Sequence, residues 1–144
     1  MTLYTRGINM DKIIFEAGDF SLEMQATTYK NDPEFLNTNL WVAVACGSFA
    51  GAMTMDVGTM ELEDFVRNMV LMNKDMKGSA RIEEPYGNKC FIEFEMGKTG
   101  HVKVCGKLIE GMQKLSFESC FDQTYLSGFV KQLSNADAWQ EVKI

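Results

Sequence analysis

The sequence predicts an α+β domain that consists of an antiparallel β-meander and two amphipathic helices. Over most of the chain, apolar residues recur with a period of two, which is typical of strands with one buried face. Around residues 59–77 and 123–134 the apolar spacing changes to three and four, which indicates helices. The connections between consecutive strands are short, so neighbouring strands should pair antiparallel and no parallel crossover unit is expected.

The first two predicted strands are half-buried strands separated by a tight turn. Residues 12–16 lead to Ala17-Gly18-Asp19, a combination typical of turns. Residues 20–27 then alternate regularly between apolar and polar side chains. This second strand should end at residues 30–33, since Asn, Asp and Pro each favour turn geometry.

A predicted hairpin precedes the first helix. Residues 39–46 are apolar on both faces, which indicates a central, covered strand, and residues 49–57 are close enough to pair with it. Thr59 is a plausible N-cap for the helix, because its hydroxyl can accept from a first-turn N–H, and Gly78 should end it. The helix should bury one stripe of side chains: Leu62, Phe65, Val66, Met69 and Met72.

Four further strands form the predicted meander and lead into the second helix. The pattern does not decide between one large curled sheet and a sandwich of two sheets. At Asp122 the apolar period changes from two to the helical spacing. We interpret Asp122 as a structural cap, because a carboxylate there can accept from the first N–H groups of the helix. The four strands occupy residues 79–84, 90–96, 102–108 and 114–121.

Composition excludes several classes of protein. The 144 residues are expected to form a single domain, with residues 1–11 and 135–144 at its periphery. A formal charge of −6 argues against nucleic-acid binding, which requires a basic surface. The chain has no apolar run long enough for a membrane span and no signal-peptide pattern. Its four cysteines form no CxxC pair, so we expect reduced thiols and a cytoplasmic protein.

The sequence carries no convincing catalytic or metal-binding motif, and no cofactor is expected. Gly97-Lys98-Thr99 resembles the end of a phosphate-binding loop, but a strand follows it, so a hairpin turn is the better interpretation. His101 and Cys105 would lie roughly 13 Å apart on one strand, too far to share a zinc ion. Glu93 and Glu95 lie about 7 Å apart on one strand face, a spacing that glycoside chemistry can use.

Four stretches together resemble a known family. They are residues 13–31 (IIFEAGDFSLEMQATTYKN), the helix LEDFVRNM, the segment GKTGHVKVCGKL and the closing DQTYLSGFVKQL. In these stretches the chain is similar to the WapI-like bacterial immunity proteins and related bacterial proteins. The resemblance implies a small cytoplasmic protein that binds and neutralises a toxin domain, often a nuclease, delivered by a contact-dependent system. It supplies no catalytic residues.

We therefore expect a non-catalytic inhibitor that binds a cognate toxin protein and binds no membrane. The toxin should be basic if it is a nuclease. Phe91, Glu93 and Glu95 are the first candidate contact residues, because they should project away from the core and combine an apolar anchor with an acidic rim. The helix acids Glu61, Glu63 and Asp64 are the second candidate patch. The alternatives are a small-ligand-binding module and an enzyme that uses Glu93 and Glu95. The sequence does not decide the oligomeric state.

Overall fold

The computed structural model describes residues 8–9, 12–28 and 37–135. In these ranges the chain contains nine strands, two α-helices and one short 3-10 helix. The turn expected at residues 30–33 and the C-terminal segment 136–144 lie outside the described residues. The elements are β1 Ile8–Asn9, β2 Ile13–Ala17, β3 Phe20–Thr28, β4 Asn37–Cys46, β5 Phe49–Gly58, α1 Thr59–Asp75, β6 Gly78–Glu83, β7 Phe91–Met96, β8 His101–Glu110, β9 Gln113–Asp122, the 3-10 helix Gln123–Tyr125 and α2 Leu126–Asn135.

The strands form two separate antiparallel sheets. The first has the order β1-β3-β4-β5, and β2 also pairs with β3. The second is a meander in the order β6-β7-β8-β9. The predicted α+β class and the antiparallel meander are thus confirmed. Of the two arrangements that the sequence left open, the strands form two sheets.

Strand β4 is central in the first sheet, but only one of its faces is fully buried. Leu40, Val42 and Val44 point into the core, whereas the side chains on the opposite face are partly exposed. The prediction of a strand covered on both faces is therefore wrong for the outer face. Most of the outward apolar residues are alanines, such as Ala43, which expose little apolar area when they are left in contact with water.

The two sheets pack through a cluster of phenylalanine rings. The ring of Phe15 on β2 lies 6.0 Å from Phe94 on β7 and 4.7 Å from Phe121 on β9, measured between centroids. Helix α2 adds Phe129, 5.3 Å from Phe15 and 5.7 Å from Phe94. Helix α1 adds Phe65, 6.3 Å from Phe94. The fold therefore shares one core among both sheets and both helices, and each ring pair adds about 0.5–1.5 kcal/mol beyond its buried area.

Helix α1 buries the stripe that the sequence predicted but has different ends. All five residues of that stripe are buried. The N-cap is Gly58, because β5 continues in extended conformation up to that residue, and Thr59 is already the first helical residue. At the other end Met76 takes the left-handed conformation, with φ 58°, and its N–H donates to Met72 O. Gly78 is the first residue of β6 and does not end the helix.

The cap predicted at Asp122 is confirmed. Its carboxylate accepts from the backbone N–H of Thr124 at 2.9 Å. Because the ionised form makes this hydrogen bond, the pKa of Asp122 is lowered from its ordinary value. The capped segment is first a 3-10 turn, Gln123–Tyr125, and the α-helix begins only at Leu126. The predicted second helix is therefore present, with a tighter first turn.

Helix α2 also covers the free edge of β2. The Gln132 side chain accepts from Ile14 N–H at 2.9 Å and donates to Ile14 C=O at 2.6 Å. A side-chain amide thus takes the place of a neighbouring strand. Exposed strand edges promote aggregation, so this contact protects the sheet as well as positioning the helix.

Candidate functional site

The first candidate surface is the outer face of the second sheet, on the side of β7 away from the core. Ile92 and Phe94 are fully buried, and Phe91, Glu93 and Glu95 project to the opposite side. Phe91 and Glu93 are half-buried and Glu95 is exposed. The structure therefore brings these three predicted residues together on one face, where the core does not use them.

Arg81 organises this face and was not among the predicted site residues. Its guanidinium lies 3.9 Å from the ring centroid of Phe91. Its Nη1 is 3.2 Å from Glu93 Oε1 and its Nε is 3.0 Å from Glu83 Oε1. Stacking and two carboxylates together hold the side chain in one position. The β6–β7 hairpin was the signal available in the sequence, since its register places Arg81 opposite Glu93.

The outer face is mixed in charge, whereas the sequence led us to expect an acidic rim. Glu95 pairs with Lys103 at 3.9 Å, so both predicted glutamates have a basic neighbour. Exposed ion pairs of this kind contribute little stability, about 0–1 kcal/mol, and can exchange partners. The face thus offers charges of both signs around an aromatic ring. Its acids include Glu83, Glu93, Glu95 and Glu118, and its bases include Arg81, Lys103, Lys107 and Lys114.

The three helix acids, the second candidate patch, lie in the first turns of α1 and have different neighbours. Glu61 lines a cleft at the start of α1. Glu63 lines a separate shallow groove along the helix, together with Val70 and Leu71. Asp64 forms an ion pair with Arg67 one turn further on. Of the three, Glu61 is the one that lines a cleft together with acids from other elements.

The cleft is a second candidate surface, which sequence reasoning missed. It has a volume of about 660 Å³ and lies between the β5–α1 junction, the loop that joins β6 to β7, and the β8–β9 turn. Its described lining includes four acids and no lysine, arginine or histidine. We call it the acidic cleft. Its acids are Asp56, Glu61, Glu84 and Glu110.

Glu84 is the buried member of this cleft, with 9% of its surface exposed. Its Oε2 accepts from the backbone N–H of Asp56 at 3.0 Å, and its Oε1 accepts from that of Cys90 at 3.3 Å. Asp56 belongs to the first sheet and Cys90 directly precedes β7 in the second. One carboxylate therefore links β5 of the first sheet to the start of β7 in the second, and it closes the loop 84–90.

Cys90 supports the same corner and does not have the character of a nucleophile. Its Sγ accepts from Ile109 N–H at 3.2 Å and is 3.5 Å from Ile109 O. Burial is the main reason that the pKa of the Cys90 thiol is raised. Burial, followed by the charge of Glu93, also raises the pKa of Cys105. These thiols therefore stay protonated near neutral pH, which makes them weak nucleophiles.

The segment that resembles a phosphate-binding loop, and His101 beside it, lie in the β7–β8 hairpin. Gly97, Lys98 and Thr99 form the turn between β7 and β8, with Gly97 N–H donating to His101 O at 2.7 Å, so the predicted hairpin is confirmed. The ring nitrogen His101 Nδ1 lies 3.1 Å from Thr99 Oγ1. Among the described residues, no three His, Cys, Asp or Glu side chains are grouped as a metal site would require.

Fold and surfaces define an α+β protein of two antiparallel sheets and two helices, with a mixed-charge sheet face next to an acidic cleft. The chain belongs to the immunity protein WapI-like family, whose sequence profile matches residues 12–139. Membership suggests a toxin immunity protein and confirms the resemblance stated above. Neither the curated proteins nor the solved structures that were searched gave a match. None of the helices in the described ranges has the length and apolar character of a membrane span.

Proposed function

We propose that this protein is a non-catalytic inhibitor that binds and neutralises a cognate bacterial toxin domain, a nuclease, in the cytoplasm. The observation that carries this proposal is the family match over residues 12–139. Reduced thiols and the lack of a catalytic motif in the sequence are consistent with it. Nucleases bind phosphate backbones and so tend to be basic, whereas this chain has a formal charge of −6. Opposite net charges would accelerate the encounter of the two proteins.

The outer face of the second sheet is the contact surface that we propose. The stacked pair of Phe91 and Arg81 lies at its centre, and aromatic and arginine side chains are the types that most often dominate binding energy. Arg81 is already held by two carboxylates, so little conformational entropy remains to be lost when a partner binds. Glu93 and Glu95 flank the pair, and Glu95 can exchange its ion pair with Lys103 for a basic group of the toxin. The helix acids Glu61, Glu63 and Asp64 rank second as a contact surface.

The test uses the toxin domain encoded beside this chain. Replacing Glu93 and Glu95 together with glutamine should slow association, and the difference should shrink as salt is raised, because it arises from screened charges. Phe91→Ala should instead speed dissociation. Glu16→Gln with Asp75→Asn is the matched control, since it removes the same two charges elsewhere on the surface. Stopped-flow or surface-binding kinetics at several salt concentrations measure both rates.

Two results would argue against this proposal at different levels. If the variant with glutamine at both Glu93 and Glu95 binds the toxin as tightly and as fast as the wild-type protein and fully protects toxin-exposed cells, the outer face is not part of the interface. Failure of the wild-type protein to bind any product of its neighbouring genes would refute the immunity function itself.

The small-ligand module remains the second candidate because of one observation. The acidic cleft has a volume within the range of roughly 300–1,000 Å³ that small-molecule sites occupy. A ligand that is retained through purification and seen by native mass spectrometry would favour this alternative. A mass equal to that of the bare chain, together with tight toxin binding, would favour the inhibitor.

A further inference from the structure

We propose that the protein forms a symmetric dimer through the free edge of β5. Strand β5 is the last strand of the first sheet, and it pairs on one side only, with β4. The inference does not depend on the proposed function, because the occupant of the edge is a second copy of this chain. The contact surface proposed for the toxin lies on the second sheet and is not part of this edge.

The backbone groups along this edge point away from the sheet at every second residue. In an antiparallel pair, alternate residues bond to the neighbouring strand, and the residues between them point outward. Asp56 is one of the outward residues, because its N–H donates to Glu84 and not to β4. Ala50, Ala52 and Thr54 therefore also point outward, and all three are exposed. In the described part of the chain, no other element forms a hydrogen bond with their backbone.

The free edge of β5 lacks the features that ordinarily prevent strand pairing. Edge strands usually carry charged side chains or proline, because their unpaired backbone groups are a template for another strand. Three other edge strands carry such charges: Glu16 on β2, Arg81 on β6 and Lys114 on β9. Residues 49–55 of β5, Phe-Ala-Gly-Ala-Met-Thr-Met, contain neither a charge nor a proline. This edge is therefore open to pairing.

The register of a symmetric pair matches the outward residues of the two copies. A two-fold axis at Ala52 places this residue opposite Ala52 of the partner subunit. Ala50 then lies opposite Thr54 of the partner subunit, and the reverse pair follows from the symmetry. Each outward residue of one copy thus meets an outward residue of the other, which gives about six backbone hydrogen bonds.

The side chains at this contact favour a second copy over a strand of a basic toxin. A basic strand would be selected by acids, and residues 49–55 have none. In the symmetric register Asp56 lies opposite the partner's Ser48, so no like charges face each other. Gly51 lies opposite the partner's Met53, which pairs a small residue with a large one. Phe49, whose side chain is 73% exposed, lies diagonal to the same methionine and can cover it.

The test measures the oligomeric state of the protein alone, so it needs no toxin. A single strand pair is a small interface, and sedimentation equilibrium should show a mass that rises from one chain towards two over roughly 10–500 μM. Raising the salt should strengthen the dimer, because two copies with formal charges of −6 repel each other and salt screens this repulsion.

Two variants with the same added charge test the position of the contact. Ala52→Lys should weaken the dimer at least about tenfold, because it brings two ammonium groups together at the axis. Ser21→Lys is the matched control, since it adds the same charge to the same face of the first sheet but on β3, two strands from the edge. The control should change the dissociation constant by less than about threefold.

Hydrogen exchange locates the contact within the dimer. The amides of Ala50, Ala52 and Thr54 should exchange more slowly at high protein concentration than at low concentration. The amide of Asp56 already donates to Glu84 and should exchange at the same rate in both. A single-chain mass at about 500 μM would overturn the inference. So would a dimer that both lysine variants weaken equally, or one whose formation leaves the three edge amides unprotected.

Discussion

Replacing Glu84 with alanine tests whether one buried carboxylate joins the two sheets. The substitution removes the acceptor for two backbone N–H groups, those of Asp56 and Cys90. Each N–H left without an acceptor costs about 1–3 kcal/mol when it is buried. Removing a desolvated charge returns part of this free energy. The backbone hydrogen bond from Glu84 N–H to Cys90 O, at 2.9 Å, is unaffected by the change. We therefore expect the free energy of unfolding to fall by about 2–4 kcal/mol.

The glutamine variant gives an intermediate result that only the hydrogen-bond explanation predicts. Its side chain has one acceptor oxygen, and its amide nitrogen would face the second N–H donor. We expect Glu84→Gln to lose about 1–2 kcal/mol, half the effect of alanine. Glu83→Gln is the matched control on the adjacent residue, since Glu83 makes only an exposed ion pair with Arg81. That control should change stability by less than about 1 kcal/mol.

Urea unfolding at equilibrium measures these differences, and amide hydrogen exchange locates them. The amides of Asp56 and Cys90 should lose protection in the alanine variant before the amides of the β8–β9 ladder do. A Glu84→Ala protein as stable as the Glu83→Gln control would refute the reasoning. It would mean that the desolvation penalty of the carboxylate cancels its two hydrogen bonds.

Three further substitutions test the cap, the covered edge and the packing of the second sheet. Asp122→Ala should lower the melting temperature at pH 7 by about 2–4 °C, and this difference from the wild-type protein should vanish as the pH falls through the lowered folded-state pKa of Asp122. Asp122→Asn is the control, since it keeps an acceptor for Thr124 N–H. A difference between Asp122→Ala and the wild-type protein that does not change with pH would contradict the cap. Gln132→Ala should speed hydrogen exchange at the Ile14 amide. Gln132→Glu keeps the acceptor for that N–H and should speed its exchange less. An Ile14 amide that exchanges at the wild-type rate in Gln132→Ala would exclude the contact. Gly106→Ala would place a Cβ 2.5 Å from a β7 backbone oxygen, so it should lower the free energy of unfolding by about 1–3 kcal/mol in urea unfolding. A variant with the same urea midpoint as the wild-type protein would show that the strands can separate at this position.

The features that depend on neighbouring residues could be predicted from the sequence. The Asp122 cap is an interaction across two residues, and the hairpin at Gly97 is set by its own turn residues. The start of α1 was harder to predict, because Gly58 and Thr59 are both suitable N-cap residues and only the length of β5 decides between them. Pairing within each sheet followed from short connections. The choice of two sheets over one depended on packing of the phenylalanine rings, which no local pattern reports.

The acidic cleft was beyond the reach of sequence reasoning, since its acids come from three separate segments. Asp56 and Glu110 are brought together only when the two sheets pack. Glu83 and Glu84 are identical side chains in adjacent positions, yet one points outward and the other is buried. The alternation of strand β6 was the available signal, because Ala80, Ile82 and Glu84 occupy the inward positions. Reading that alternation through to the end of the strand would have identified a buried carboxylate.

The contact between Gln132 and Ile14 also has a consequence for the order of events during synthesis. The two residues are 118 positions apart, so at about 5–20 residues per second the ribosome adds Gln132 roughly 6–24 s after Ile14. During that interval the β2 edge lacks the side chain that covers it, and the rings that pack on Phe15 are added one after another, with Phe129 of α2 the last. We therefore expect the β2 edge to stay open to pairing with other strands until α2 is made. A chain interrupted before α2 would be a substrate for proteases and not a shorter version of the folded protein.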